Sequence, residues 1–366
     1  MSEHRHIRSL GFDAPGRAGF TGYDEGPPGE GQVRIETLYT GFSAGTELTF
    51  FKATNPYLHS RWDAGRGVFV EGEAGMHFPV PFLGYMEVGR VVESRAGDYA
   101  PGDIVAGTWG HKSGHIADPF HDLLVKLPPG MDPLLGIYVA QMGPIAANGI
   151  LHADAELLGP NVPTLGAGIA GRPVLVIGAG VVGLFTALFA QAAGASEVVI
   201  ADPSPFRRMR SECLELTAMT EADAWAHAKA RWTHGGDDRG ADVVFQTRAD
   251  SASLHAALRA LRPQGTVIDL AFYQGGANGL RLGEEFHHNG LNIRCAQIGR
   301  VPRGLGFQWD KARLARETVK LLVARGDEIR AQIVTHVVPI DEAPGFMHHL
   351  VTDRPEFLQI VFQVQS

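Results

Sequence analysis

One stretch constrains the fold of this 366-residue chain more than any other: Arg172 to Asp202, RPVLVIGAGVVGLFTALFAQAAGASEVVIAD. Val174 to Ile177 is a short, β-branched apolar run of the kind that forms a buried parallel strand. It leads into Gly178-Ala179-Gly180-Val181-Val182-Gly183. In such a turn the first glycine allows the sharp exit from the strand, the second lets backbone approach a pyrophosphate, and the third lets the next helix pack close to the sheet. Leu184 to Ala193 has helix-forming composition and stops at Gly194, and Glu197 to Ala201 reads as a second strand closed by Asp202. An acid roughly 20 residues past the first glycine is placed to hold an adenosine ribose.

Strand, turn, helix, strand and acid in this order predict a dinucleotide site with its phosphates on the helix N-terminus. A glycine turn kept only for packing is the other reading. The charge of Asp202 repels a 2′-phosphate, so NAD is favoured. Arg207 and Arg208 lie close by and leave NADP possible.

The length exceeds what one hydrophobic core usually serves, so two domains are expected. Hydrophobic residues at 45% and charged residues at 20% fit an ordinary soluble chain. A net charge of −8 without a basic stripe argues against nucleic acid or an anionic membrane as partner. The apolar runs are too short to span a bilayer and MSEHRHIRSL lacks a signal core, which predicts a cytoplasmic protein. Cys213 and Cys295, the two cysteines, cannot build a disulfide framework or a four-cysteine zinc lobe.

Residues 1 to 170 carry short strand-like runs between Gly and Pro punctuation, at Gln32–Tyr39, Gly89–Glu93, Asp103–Ala106 and Leu123–Leu127. They predict a β-rich, partly open barrel. Phe50 to Pro81 shows no clear period and reads as a functional loop or lid. After Asp202, strand and helix alternate. A helix runs from Ser204 or Pro205 toward Leu216, a strand over Ala241–Phe245, a helix over Ser251–Leu261, and a strand over Gly265–Leu270. A last strand falls near Leu291–Ile298, a helix over Leu314–Ala324, and a returning strand over Ile360–Val364. This rhythm is that of an α/β doubly wound parallel sheet.

The order of parts, with VRIETLYTGFSAGTEL, PFLGYMEVGRVVE, PGDIV, LVKLPPGM, VLVIGAGVVG and THVVPIDEAPGF, resembles the medium-chain dehydrogenase/reductase superfamily along essentially the whole chain. The resemblance implies a Rossmann domain over 146–304 and a β-rich, GroES-like catalytic domain over 1–145 and 305–366. It also implies a nicotinamide cofactor, a small-molecule substrate, and a homodimer or homotetramer paired along the sheet edge near Leu291 to Ile298. The zinc members carry metal ligands where this chain has Ala44, Tyr85 and the Met142–Pro144 segment. Such side chains do not normally ligate zinc, so no catalytic zinc is expected. His111, His115 and His121, with His287 and His288 further on, are a competing metal reading, but Gly110, Gly114 and Pro119 disfavour the helix that would pair them. They read as solvated or substrate-facing.

Without the metal's Lewis acidity, another donor must stabilise the substrate oxygen. Tyr85 is the candidate acid or donor, Thr46 the relay, and Glu47 the residue that orients them; space-filling and structural roles are the alternatives. Ser43 is adjacent. The resemblance places Asn148 near the nicotinamide, Arg207 at the adenosine ribose, and Gln359 where a cation often meets the phosphates. Thr247, Ala271, Phe272 and Tyr273 follow strand ends, where open α/β sheets hold their ligands. Three functions stay open at this point. The first is zinc-independent, NAD-dependent interconversion of a secondary alcohol and a ketone on a sugar, polyol or biosynthetic intermediate. The second is NADPH-dependent quinone or enone reduction, and the third is non-catalytic dinucleotide binding.

Overall fold

The computed structural model describes residues 4–365. The chain divides into two compact units, one taking the chain up to Gln141 and again from Val334, the other spanning Met142–Ile333. The first opens with an antiparallel hairpin of β1 (Arg5–Ala14) and β2 (Arg17–Glu25). β3 (Val33–Phe42) then runs through Ser43 into α1 (Ala44–Phe51), and a short hairpin follows, β4 (Ser60–Asp63) and β5 (Val68–Glu71). β6 (Glu87–Ser94), β7 (Ile104–Gly107), β8 (Gly114–Ala117) and β9 (Val125–Lys126) complete this pass.

The second unit begins with α2 (Met142–Leu158) and continues through β10 (Pro173–Ile177), α3 (Val181–Ala192), β11 (Glu197–Ala201), α4 (Pro205–Glu212), β12 (Thr217–Met219) and α5 (Glu221–Arg231). It closes with β13 (Ala241–Gln246), α6 (Ser251–Ala260), β14 (Leu261–Asp269), β15 (Asn292–Cys295) and α7 (Lys311–Ile333). Its six strands are all parallel, in the order β12-β11-β10-β13-β14-β15. That is the Rossmann order, and its switch point lies between β10 and β13. The uninterrupted apolar runs in β10 and β11 follow from burial on both faces, with Leu175, Ile177, Val199 and Ala201 in a core that also holds Leu254, Leu258 and Val267. Ser204 and Asp250 cap α4 and α6 through side-chain oxygens.

The chain then returns to the first unit with β16 (Val334–Pro339), α8 (Ala343–Thr352) and β17 (Gln359–Gln363). The sheet there runs β16-β17-β3-β6-β7-β9, with β8 also on β3, and only the β16–β17 pairing is parallel. Phe42, Phe50, Phe51, Ile360 and Phe362 pack with Leu10 and Phe12 in one core, and Val33, Ile35, Val91, Val105 and Trp109 in another.

Two expectations are corrected, and one hairpin lies where no element was expected. Phe50 to Pro81 is not one long loop: it holds the end of α1, a 3-10 turn at Pro56–Leu58 and the β4–β5 hairpin. Trp62 faces Phe69 across that hairpin with ring centroids 5.1 Å apart, and Tyr57 adds an edge contact at 5.6 Å. Cross-strand aromatic pairs of this kind stabilise a hairpin without a period visible along the chain. The β1–β2 hairpin went unread because Gly11, Gly19 and Gly22 punctuate it. Finally, the unit boundaries fall at 141/142 and 333/334 rather than 145/146 and 304/305. α7 packs on α2, α3 and α4 and so groups with the Rossmann sheet.

Candidate functional site

In the second unit, β10 is followed by Gly178 with φ +101°, a conformation that favours glycine. A Cβ on Gly183 would stand 1.8 Å from the Gly178 carbonyl oxygen, so only glycine lets α3 approach this closely. Gly180 differs. A Cβ there would meet only Arg207 Nη1, at 3.8 Å, leaving its outer side open. Ala179, Val181 and Val182 supply the rest of the turn, and the N–H groups at the start of α3, which has no side-chain cap, favour an anion.

Asp202, 2% exposed, accepts hydrogen bonds from Ala179 N at 2.9 Å and Ser204 N at 2.9 Å. Arg207 Nη1 lies 3.7 Å from its Oδ2, while Arg208 donates to the carbonyls of Asp202 and Pro203. Thr247 uses its hydroxyl on the carbonyls of Ile177 and Gly178, so it fastens the turn. Ala271 N donates to Asp269, and Phe272 is 44% exposed. Asn148 is fully buried. Its Nδ2 donates to the carbonyls of Ala296, Gln297 and Arg300, and its Oδ1 has no partner among the described residues.

In the first unit the catalytic candidates converge. Ser43 caps α1, its N–H donating to Glu47 Oε1 at 2.8 Å. The Ser43 hydroxyl bonds the Tyr85 phenol closely, and Tyr85 in turn donates to Thr46 Oγ1 at 3.2 Å. Burial raises the Tyr85 phenol above its ordinary range against the pull of both hydroxyls, and the charges of Glu47 and Glu87 add to the rise. Tyr85 therefore keeps its proton at neutral pH and acts as a donor.

Beneath Tyr85 lies a chain of buried polar groups that joins Glu47 and His111, both named from sequence, to Thr40 and Glu87, which were not. Glu47 Oε2 meets His111 Nε2 at 2.6 Å, His111 Nδ1 meets Thr40 Oγ1 at 2.5 Å, and Thr40 donates to Glu87 Oε1 at 3.1 Å. Glu87 also accepts Trp109 N at 2.7 Å and Met86 N at 3.0 Å. None of Thr40, Glu47, Glu87 and His111 is more than 1% exposed. Burial opposes a charge on His111, but Glu47, by charge and hydrogen bond, and then Glu87 outweigh it and raise its pKa. Burial likewise raises Glu87. The expectation of a solvated or substrate-facing His111 is thus corrected: two glutamates far apart in sequence have drawn it inside. The only signal was an acid-rich set of positions flanking the TGFSAGTE and GYME motifs. His115 stacks on Trp109 at 5.8 Å. Gln359 is buried in β17 and donates to the Phe42 carbonyl.

At two positions where the resemblance places ligands of the zinc enzymes, this chain has a methyl at Ala44 and, at Tyr85, a phenol already engaged by two hydroxyls. Both ring nitrogens of His111 are committed as well. Among the described residues, metal-type side chains converge instead at His255, Glu284 and Glu285 in the second unit, beside Arg259 and Arg281.

Residues 181–302 match the family model for zinc-binding dehydrogenases. Over 362 residues, 96% of this chain and 97% of the relative, the sequence is 25% identical to the D-guloside 3-dehydrogenase of Escherichia coli strain K12. An alcohol dehydrogenase from Thermotoga maritima shares the fold with a TM-score of 0.72 at 17% identity, covering 98% of this chain and 99% of that one. A protein described as a short chain alcohol dehydrogenase from Escherichia coli CFT073, complexed with NADH, does so with a TM-score of 0.70 at 12% identity and the same coverage. No helix among the described residues is long and apolar enough to cross a membrane.

Proposed function

We propose, from the premise that the chain belongs to the medium-chain dehydrogenase/reductase superfamily and is an alcohol-dehydrogenase-like oxidoreductase, that it interconverts a secondary alcohol and a ketone with NAD(H) and without a catalytic zinc. The substrate class is a sugar, polyol or related biosynthetic intermediate, as the name of the full-length relative suggests. One observation carries this reading. The phenol of Tyr85, where the resemblance places a zinc ligand, is held by Ser43 and Thr46 with its proton intact. A methyl and a hydrogen-bonded phenol do not fit a zinc ion, which takes thiolate, imidazole or carboxylate.

The residues of the glycine turn, with Asp202 and Arg207, fit a dinucleotide: open space at Gly180, N–H groups at a helix N-terminus and an acid tied to the turn. When bound, a nicotinamide supplies or accepts the hydride. In carbonyl reduction Tyr85 gives its proton to the oxygen as the carbonyl π bond opens, and Thr46 supports the phenolate left behind. In alcohol oxidation the same proton returns to Tyr85. Ser43 fixes the phenol from its other side, and Glu47 sets the turn from which both hydroxyls project. Pairing of two copies along the exposed β15 edge belongs to the same reading.

A second reading, NADPH-dependent enone reduction, draws on Arg207, whose guanidinium stands beside the Gly180 turn. The test is a panel of glycosides, polyols, ketones and enones assayed with NAD(H) and NADP(H), before and after dialysis against a chelator. Turnover with NADH that survives chelation and falls about 100-fold or more in Tyr85→Phe is expected, the scale of a lost general acid. Stoichiometric zinc whose removal stops turnover overturns the zinc-free reading. A clear NADPH preference on enones favours the second.

A further inference from the structure

Glu47 and Glu87 place two carboxylates inside the first unit, where an uncompensated charge costs several kcal/mol. Burial itself resists the charge on Glu87, and Lys112, half-buried, acts on it through space; among the described residues no lysine or arginine hydrogen-bonds to either carboxylate. The hydrogen-bond directions identify the group that does. Thr40 has one hydroxyl proton. If it points to the Glu87 carboxylate, Thr40 can only accept from His111 Nδ1, which must then carry a proton. Glu47 Oε2 accepts from Nε2, so the second ring nitrogen is protonated too. Phe362 closes the ring's flank edge-on at 5.7 Å, and the backbone of His111 is pinned by Leu10 and Leu83.

We infer that His111 is the buried counter-ion of Glu47, linked through Thr40 to Glu87, on which Lys112 also acts, and a positioning residue for Tyr85: it holds Glu47, Glu47 holds Ser43 at the start of α1, and Ser43 with Thr46 holds the Tyr85 phenol. The inference rests on the reading of Tyr85 as proton donor. Gly84, beside Tyr85, is part of the same construction, because a Cβ there would lie 2.8 Å from both Glu87 Oε1 and His111 Cε1. The assembly uses a fixed internal cation to set up the donor, and its effect on turnover is geometric.

The test labels the full chain with 15N-histidine and 13Cζ-tyrosine, assigning His111 and Tyr85 by the resonances lost in His111→Asn and Tyr85→Phe. In the wild-type protein both ring nitrogens of His111 are expected to be protonated at pH 7.5. In His111→Asn the Tyr85 resonance is expected to move, kcat to fall about 100-fold, the scale of a misplacement near 1 Å, and KM for NADH to stay unchanged. A neutral His111 ring in the wild type, or an unmoved Tyr85 resonance in the variant, overturns the inference. The wild-type measurement stands even if His111→Asn does not fold. Absence of wild-type turnover on the whole panel with the expected resonances intact counts against the oxidoreductase reading of Tyr85, and leaves the counter-ion assignment standing.

Discussion

The carboxylate of Asp202 accepts the backbone N–H of Ala179 at 2.9 Å, which locks the acid at the end of β11 to the glycine turn after β10. One side chain therefore shapes the turn and sets its charge. In Asp202→Asn the amide has one acceptor oxygen for the two N–H groups, of Ala179 and Ser204, and the negative charge is gone. NADH is expected to bind about tenfold more weakly, ~1.4 kcal/mol. NADPH, relieved of repulsion and near Arg207, is expected to bind as well or better. Fluorescence titration of both dinucleotides checks this, and an unchanged preference would remove Asp202 as its determinant.

Gly183 and Gly180 separate packing from ligand approach. Gly183→Ala forces a Cβ to 1.8 Å from the Gly178 oxygen, so the helix must move. A melting-temperature loss equivalent to about 1–3 kcal/mol or more is expected, the scale of an overpacked core. Gly180→Ala meets nothing closer than Arg207 Nη1 at 3.8 Å. The fold should be unaffected while dinucleotide affinity drops. If Gly180→Ala melts early, or binds NADH normally, the assignment of the two glycines is wrong.

The Rossmann half was legible because its physics is local: a strand buried on both faces is a plain apolar run, and the turn after it has few alternatives to glycine. The first unit was far less legible. Its β1–β2 and β4–β5 hairpins are held by cross-strand partners that leave no period in the sequence. Tyr85, Thr46 and Glu47 were named from motif positions alone, and they do converge. His111 could not be read this way. Its partners Thr40, Glu47 and Glu87 come from β3, α1 and β6, brought together only by the sheet. Composition gave no hint that a histidine among glycines would be the most buried of its kind.

Gly84 tests how tightly that cluster is built. Its φ of +90° disfavours any side chain, and a methyl would also press on Glu87 and His111 at 2.8 Å. Gly84→Ala is expected to cost about 1–2 kcal/mol from backbone conformation alone and to lower turnover more than it lowers stability, because the contacts it disturbs lead to Tyr85. Urea unfolding beside steady-state kinetics makes the comparison. Loss of stability with normal turnover would show that Gly84 serves only the chain path.

Acid sensitivity should arise from two histidines, the buried His152 and the half-buried His115. Burial lowers His115 and His152 to a pKa of about 4, with Lys112 adding to the fall for His115. Neither ring nitrogen of His152 makes a well-formed hydrogen bond to a described partner, so burial and the nearby Arg294 charge outweigh the support that the Arg300 backbone gives the charged form. A histidine with a depressed folded-state pKa takes up its proton more readily when unfolded. Its contribution to stability is present in full above the unfolded value near 6.5 and is lost as pH falls through about 4. Lowering the pH from 7 to 5 should therefore cost no more than about 1–2 kcal/mol per histidine, allowing for partial solvent screening. His152→Gln, which cannot titrate, should flatten that slope. Urea unfolding midpoints of wild type and His152→Gln at pH 7, 6 and 5 measure it directly. Parallel slopes in the two proteins would place the acid sensitivity elsewhere in the chain.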